Sequence, residues 1–493
     1  MSKRITVSPV TRVEGHLSLE LDVGESGRVA AAFASGTMFR GFESILQGRD
    51  PRDAIHLTQR ICGVCSIPHA RTAVEAVEQA AGVQVSRNAV LLRNLVQAAG
   101  LVSDHILHFY HLALLDYVRG PGLPPFTPAY VADLRFSDGE TKAFGEHYIQ
   151  ALGARRTAQE MGAIFAGKLP HVMTFAAGGV TQAPDATNVA AFRRYLDQLI
   201  PFVENVYIPD AMLLAKRYPE YLEIGAGPLN LLSFGSFPDG AGAQLFPAGK
   251  YVGHGEGRGR EGGEDEDREG GDERERGRNE HARRHLFPLT AQDVASIDES
   301  VKHSYYGTRE RGSRGARDDS TPNMDKRGAY SWVKAPRLAD HVYQVGALAR
   351  MVVSGNYRGG ISVMDRLLAN AYETGKVAAA MRGWLDGLAL DSSGYQHVSS
   401  MPAAGRALAL GEAPRGALAH WLEYADGKVT RYQIITPTSW NASPRDDRDA
   451  PGPIEQALAG VQIADKAQPI EVYRVIHSFD PCMGCAVHVT VMD

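Results

Sequence analysis

Apolar and polar positions alternate along much of the first 35 residues. Ile5 and Val7, then Leu17, Leu19, Leu21 and Val23, fall on one face of an extended chain, with Gly24 and Gly27 in a turn. This period of two predicts one or two strands of a small sheet. From about residue 70 the pattern becomes helical. The run RNAVLLRNLVQAAGLVSDHILHFYHLALLDYV (87–118) is apolar nearly all round, which predicts a buried helix inside a bundle. Pro121, Pro124, Pro125 and Pro128 then enforce a loop. Helical patterns return at 142–167, 186–217, 339–354 and 362–386, and residues 415–436 revert to strand-like alternation, as in KVTRYQII. The expected fold class is mainly α (α+β), a core of long helices with small peripheral sheets.

Residues 253–284 break this pattern. GHGEGRGREGGEDEDREGGDERERGRNEHARR holds Gly and charges of both signs with almost nothing apolar. Burial there cannot offset the entropy of ordering, so a disordered surface insertion within a single domain, 1–493, is expected. A tether for a docking partner is the functional reading, and a tolerated insertion the simpler one.

Composition narrows the function. The 493 residues are 44% hydrophobic, enough for a large core without a disulfide scaffold. Lys+Arg number 52 against 57 Asp+Glu, a net charge of -5, which provides no basic field for nucleic acid. No apolar run approaches the roughly 18 residues that a direct membrane span needs. The N-terminal MSKRITVSPVTRVEG lacks the apolar stretch of a signal peptide. Export or membrane attachment is therefore expected through a partner.

The four cysteines say most. Cys62 and Cys65, and Cys482 and Cys485, form two C-x-x-C pairs near opposite ends of the chain. This spacing lets two thiolates converge on one centre. Bringing both pairs together closes a loop of over 400 residues, at a cost of roughly 5 kcal/mol, which a large core sustains. Soft thiolates suit Zn, Fe or Ni, and spacing alone leaves structural zinc and a catalytic metal equally open.

The flanking residues carry a resemblance. R-x-C-G-x-C-x-x-x-H (60–69) and D-P-C-x-x-C-x-x-H (480–488), taken together, resemble the large subunit of [NiFe]-hydrogenases. In the family's order come also PVTRVEGH (9–16), FRGFE (39–43), RDPRDA (49–54), SDHILHFYHLALLDYV (103–118), GAYSWVKAPR (328–337), EAPRGALAH (412–420) and TPTSWNASPRDD (436–447). The likeness spans the chain apart from 253–284, and its texture is similar to periplasmic uptake enzymes and their selenocysteine-containing relatives. Position 482, where those relatives carry selenocysteine, is cysteine here.

The resemblance implies the [NiFe]-hydrogenase large-subunit fold and reversible heterolytic cleavage of H2. Cys62 and Cys482 would be terminal nickel ligands, and Cys65 and Cys485 would bridge nickel to an iron carrying one CO and two cyanides. Cys482 would be the transient base, with Glu14 as its proton relay. Arg415 would face the open side of the metals, held by Asp104 and Asp480. Thr438 would donate to a cyanide, and Pro414, Leu418 and Pro437 would line the CO pocket. His69 would hydrogen-bond a bridging sulfur. Glu43, His488 and the carbonyl of Ile434 would hold a magnesium (or iron) near the C-terminus. His105, His108 and His111 read as core histidines. Val64 and Leu112, the smaller choices along the gas path, favour a turnover enzyme over an H2 sensor.

Two departures stand out. Only five residues follow His488, a short tail for a family whose precursors are trimmed there, and the stretch between Arg350 and Gly383 is short. A nickel–iron site would use every cysteine, leaving none for iron–sulfur clusters, and no dinucleotide or flavin fingerprint is found. Electrons therefore require a cluster-bearing partner, which the family supplies as its iron–sulfur small subunit, with maturation proteins building the centre. A periplasmic or membrane-associated location through that subunit is expected, with the cytoplasm as alternative. The competing readings are an H2-sensing subunit of low turnover, a metal-free homologue as in respiratory complex I, and a structural zinc protein.

Overall fold

The computed structural model describes residues 3–120, 126, 133–253, 285–307, 321–390 and 392–486. The prolines at 121–128, the insertion beyond Gly253 and His488 with its tail lie outside the described residues.

The N-terminal alternation forms three antiparallel strands, Lys3–Val7, Leu17–Val23 and Val29–Gly36, paired in chain order. Leu17, Leu19, Leu21 and Val23 all face the core. The third strand, VAAAFASG, escapes a reading by periodicity because small residues blur its alternation.

Helix Ser66–Ala81 starts directly after Cys65 and stops at Gly82, whose φ of 66° ends it. Ser86 caps the next helix, Arg87–Ile106, by accepting the Ala89 amide. That helix runs on as a π-helical turn, Leu107–Ala113, and a 3-10 turn, Leu114–Asp116. It packs against Asp138–Ala166 and Val363–Asp386. Both of these open with capping boxes, Ser137 with Glu140 and Ser362 with Asp365. The pattern at 186–217 becomes Ala186–Phe202, a π turn and Ile208–Arg217. No helix among the described residues is long and apolar enough to cross a membrane.

The helix expected over 339–354 is corrected to Ala347–Val353. Ala339, Asp340 and Gly346 have φ of 47°, 66° and 127°, which no α-helix accepts. Gln344 instead exchanges backbone hydrogen bonds with Asn230 and Leu232.

Residues 415–436 become the strands Gly416–Ala425 and Lys428–Ile435, joined through Asp426 and Gly427, both at positive φ. A third strand, Ala404–Ala413, completes this sheet, which lies against helix Ser66–Ala81. The first cysteine pair sits at the start of that helix. The turn bearing Pro414 and Arg415 caps the first hairpin of the sheet. The second cysteine pair follows helix Ile470–Ser478.

Candidate metal centre

Both C-x-x-C turns end in one buried pocket. The four sulfurs lie within 4.8 Å of one another, and all four cysteines are free thiols. Cys65 Sγ is 3.3 Å from Cys485 Sγ, and Cys482 Sγ is 3.5 Å from Cys62 and 2.8 Å from Cys485. The amides of Val64 and Cys65 donate to Cys62 Sγ at 3.3 Å each. Hydrogen bonds from the other thiols, Cys482 foremost, hold Cys62 well below the usual thiol range. Burial pushes Cys482 and Cys485 far up. The pocket alone thus favours a thiolate on Cys62, whereas a soft divalent cation among the sulfurs would deprotonate the others. Four convergent, water-shielded sulfur donors fit a thiophilic metal centre.

Glu14 reaches this pocket from the N-terminal loop. It forms a parallel backbone bridge with Cys482, and its carbonyl accepts the Met483 amide at 2.7 Å. Glu14 Oε2 accepts the Cys482 thiol at 3.1 Å and the Gly484 amide at 2.9 Å. The approach requires Gly15: a Cβ there would sit 2.5 Å from Gly484 N, and its φ is 79°.

Arg415 closes another side. Its guanidinium donates to Asp104 Oδ2 at 2.9 Å, Asp480 Oδ1 at 3.0 Å and the Asp480 carbonyl at 2.8 Å. Burial opposes the charge, but the two carboxylates outweigh it and hold the guanidinium firmly protonated. Asp480 has φ of 51°, which turns the chain between Phe479 and Cys482.

Thr438 Oγ1 accepts the Cys482 amide at 2.9 Å, leaving its own proton to donate elsewhere. Leu418, Pro437 and Thr438 are buried. Pro414 is buried too, and its carbonyl accepts Arg350 Nη2 at 2.8 Å.

His69 departs from expectation. Its Nδ1 lies 3.2 Å from Nε2 of His420, whose Nδ1 meets Tyr432 Oη at 2.8 Å. Among the described residues it makes no hydrogen bond to a sulfur. Burial pushes His69 down to about 4, so the ring is neutral with one N–H to place.

Glu43 is buried, with Oε1 accepting the Ile434 amide at 2.8 Å and Oε2 3.8 Å from Lys334 Nζ. Lys334 also faces Glu299 at 3.6 Å, and Gln433 Nε2 donates to Glu299 at 2.7 Å. Gln433 Oε1 is buried without a hydrogen-bond partner among the described residues. An orphaned oxygen beside buried carboxylates fits a hard, water-carrying cation. The expected third ligand, His488, lies outside the described residues.

Two of the core histidines find hydrogen-bond partners, while both ring nitrogens of His111 are buried without one among the described residues. His105 Nε2 meets Glu373 at 2.8 Å, and His108 lies between Asn370 and the His477 carbonyl. His111 sits edge-on to Tyr148. Val64 is half-buried, and the Leu112 carbonyl accepts Arg12 Nη1 at 2.7 Å.

Several supports escaped the reading by sequence. Arg350, fully buried, donates to Glu373, to Glu412 at 2.6 Å, and to the carbonyls of Ala413 and Pro414. It braces the turn that carries Arg415. Burial pushes Glu412 up to about 7. Arg40 spans the two cysteine turns, donating to the carbonyls of Arg60, Ile61 and Gly484. Arg40, Glu412 and His420 lie inside recognised motifs. Arg350 and Glu373 sit in apolar helices, so the rule that a buried charge needs a partner could have found them.

Fold and site together define a nickel-dependent hydrogenase large subunit. A family model described as nickel-dependent hydrogenase matches residues 40–122, 118–360 and 356–488, and one described as HoxL-like matches 4–35. The chain belongs to the nickel-dependent hydrogenase family and is the catalytic large subunit of such an enzyme. It is 38% identical to the periplasmic [NiFeSe] hydrogenase large subunit of Desulfomicrobium baculatum, covering 99% of this chain and 95% of that protein. The Hydrogenase-2 large chain of Escherichia coli K12 is 33% identical, with 100% and 98% covered. The uptake hydrogenase large subunit of Bradyrhizobium diazoefficiens is 32% identical, with 100% and 96% covered. The solved structure of the H2-activated D. baculatum enzyme superposes with a TM-score of 0.88, covering 99% of this chain and all of that one.

Proposed function

We propose that this chain cleaves H2 heterolytically and reversibly at a nickel–iron centre and passes the electrons to an iron–sulfur small subunit. The observation that carries the reading is four buried sulfurs within 4.8 Å, one of them 3.1 Å from the Glu14 carboxylate. Cys62 and Cys482 would hold nickel alone, and Cys65 and Cys485 would bridge it to an iron bearing CO and two cyanides. That centre supplies Lewis acidity and a place for the electron pair.

The chain's own residues manage the proton. Cys482 Sγ takes it from H2 and passes it to Glu14 Oε2 along the existing hydrogen bond. Arg415, fixed by Asp104 and Asp480, presents a rigid cationic fork to the metal face, where a mobile lysine could not. Thr438 would donate its remaining proton to a cyanide, and Pro414, Leu418 and Pro437 would exclude water around the CO. Glu43, the Ile434 carbonyl and His488 would hold magnesium.

All four cysteines serve this centre, so the electrons need a cluster-bearing partner, in line with the small subunit of the family. A periplasmic location through that subunit accords with the periplasmic relative, and maturation proteins would build the centre.

Elemental analysis and infrared spectroscopy of the purified heterodimer test the proposal, together with H2-dependent dye reduction. One nickel and one iron with CO and cyanide stretches, and rapid dye reduction, are expected. Zinc without those bands would overturn it, and low turnover with the bands intact would point to a sensor.

A further inference from the structure

Glu14 stands on an irregular loop, residues 8–16, between the first two strands. Beside its direct bonds to the second cysteine turn, the loop is gripped from outside. Arg12, at φ of 56°, donates to the Leu112 carbonyl and to Asp116 Oδ1 at 2.5 Å. His477 reaches the neighbouring residue: its Nε2 lies 2.8 Å from the Thr11 carbonyl, and its Nδ1 lies 2.6 Å from Asp116 Oδ2. Asp116 and His477 are buried.

The hydrogen-bond inventory decides the charge of this ring. A backbone carbonyl only accepts, so Nε2 carries a proton. Asp116 accepts from the Arg12 guanidinium through Oδ1 at 2.5 Å, so as a carboxylate it can only accept at Oδ2, and Nδ1 carries a proton too. The remaining neighbours fit. His108 donates Nε2–H to the His477 carbonyl and accepts from Asn370, which leaves it neutral, and Tyr473 packs its ring alongside.

The same residue registers the other partners. The His477 carbonyl accepts the Asp480 amide at 3.0 Å, and Asp480 holds Arg415. Cys482 follows two residues later. The His477 ring therefore ties the relay carboxylate, and its backbone ties the sulfur and guanidinium, to one helix end.

We infer that His477, as an imidazolium held between Asp116 and the Thr11 carbonyl, is a positioning residue that keeps Glu14 in hydrogen-bonding contact with Cys482. It touches no reacting atom and acts through the loop. The inference rests on the relay role proposed for Glu14.

The test uses the matured heterodimer with His477→Leu, Asp116→Asn, Glu14→Gln and the Glu14→Gln/His477→Leu double variant. Nickel, iron and the infrared bands should match the native enzyme in all four. Exchange of H2 with solvent deuterons should fall about tenfold in His477→Leu and about threefold in Asp116→Asn, steps expected when a charge-assisted hydrogen bond is lost. The double variant should exchange no more slowly than Glu14→Gln. A crystal structure of His477→Leu should show Glu14 Oε2 moved to about 4 Å or more from Cys482 Sγ, beyond hydrogen-bond reach. Should His477→Leu fail to mature, Asp116→Asn carries the test. Native exchange rates in the metal-loaded Asp116 and His477 variants, or losses that multiply in the double variant, would overturn the clamp. Native exchange in Glu14→Gln would instead overturn the relay on which it acts.

Discussion

Asp104 and Arg415 lie 311 positions apart in the chain and form a buried ion pair at 2.9 Å. Asp104 rides the long apolar helix Arg87–Ile106, and Arg415 ends a hairpin of the C-terminal sheet. The pair welds the helical core to the sheet at the edge of the sulfur cluster. Removing one partner leaves the other charge with incomplete compensation. Asp104→Ala should therefore destabilise the large subunit by about 3–5 kcal/mol. Denaturant unfolding of the heterodimer reads this directly, and a midpoint equal to the native one would contradict it.

Arg415→Lys keeps the charge and discards the planar fork. One ammonium cannot serve Asp104, Asp480 and the metal face together. Nickel and iron should stay in place while H2-dependent dye reduction drops about 100-fold, the scale of losing one preorganised donor. Turnover near the native rate would remove Arg415 from the mechanism.

Cys482→Ser exchanges a soft donor for a hard, weakly acidic one. Nickel should fall to less than about a tenth of an equivalent per chain, since a hydroxyl does not ligate as a thiolate does. The far-ultraviolet circular dichroism should be unchanged, because the side chain is near-isosteric. Full nickel occupancy in this variant would refute the ligand role.

Gly15→Ala tests the close approach of the N-terminal loop to the second cysteine turn. The added methyl would meet Gly484 N at 2.5 Å, on a backbone at φ of 79°. The loop must lift, taking Glu14 away from Cys482. A stability loss of about 1–3 kcal/mol should accompany slowed exchange of H2 with solvent deuterons. Both effects should appear in the same variant, and an unaltered exchange rate would separate Glu14 from the relay.

Glu455 offers a pH test remote from the metals. It accepts the Ala34 amide at 2.9 Å and the Tyr330 hydroxyl at 2.7 Å, and the charge of Arg445 only partly offsets its burial. Burial pushes it up to about 7 from an ordinary 4.5. Between those values the folded chain keeps a proton that the unfolded chain has shed. Its contribution to stability is therefore present below pH 4.5 and is lost as pH rises to 7, by about 3 kcal/mol. Glu455→Gln has no such proton, so its unfolding midpoint should fall less than the native one between pH 5 and 8. Parallel pH profiles would disprove the assignment.

Local pattern carried much of this fold. Alternation at Leu17, Leu19, Leu21 and Val23 located the N-terminal sheet, and helical periods located the bundle, because both reflect which side of one segment meets the core. It failed where small residues blur the period, as in Ala404–Ala413, and where positive φ at Ala339, Asp340 and Gly346 breaks a helix-like text. The two C-x-x-C pairs, with Glu14 and Arg415 in their motifs, were equally legible, since the chemistry resides in residue type and short spacing.

Partnership across the chain was not legible in local pattern; the family resemblance alone implied Asp104 and Asp480 for Arg415, and Glu14 for Cys482. A charge in an apolar helix, such as Asp104, Asp116, Arg350 or Glu373, announces that it needs a partner and does not say which one. Only the packing of helix, sheet and C-terminal turn brought His69 to His420 and His477 to Asp116. Hydrogen bonds act over about 3 Å, and contacts between residues hundreds of positions apart follow from how whole elements stack. The sequence by itself determined which groups this centre has, and the tertiary structure decided which of them hold one another in place.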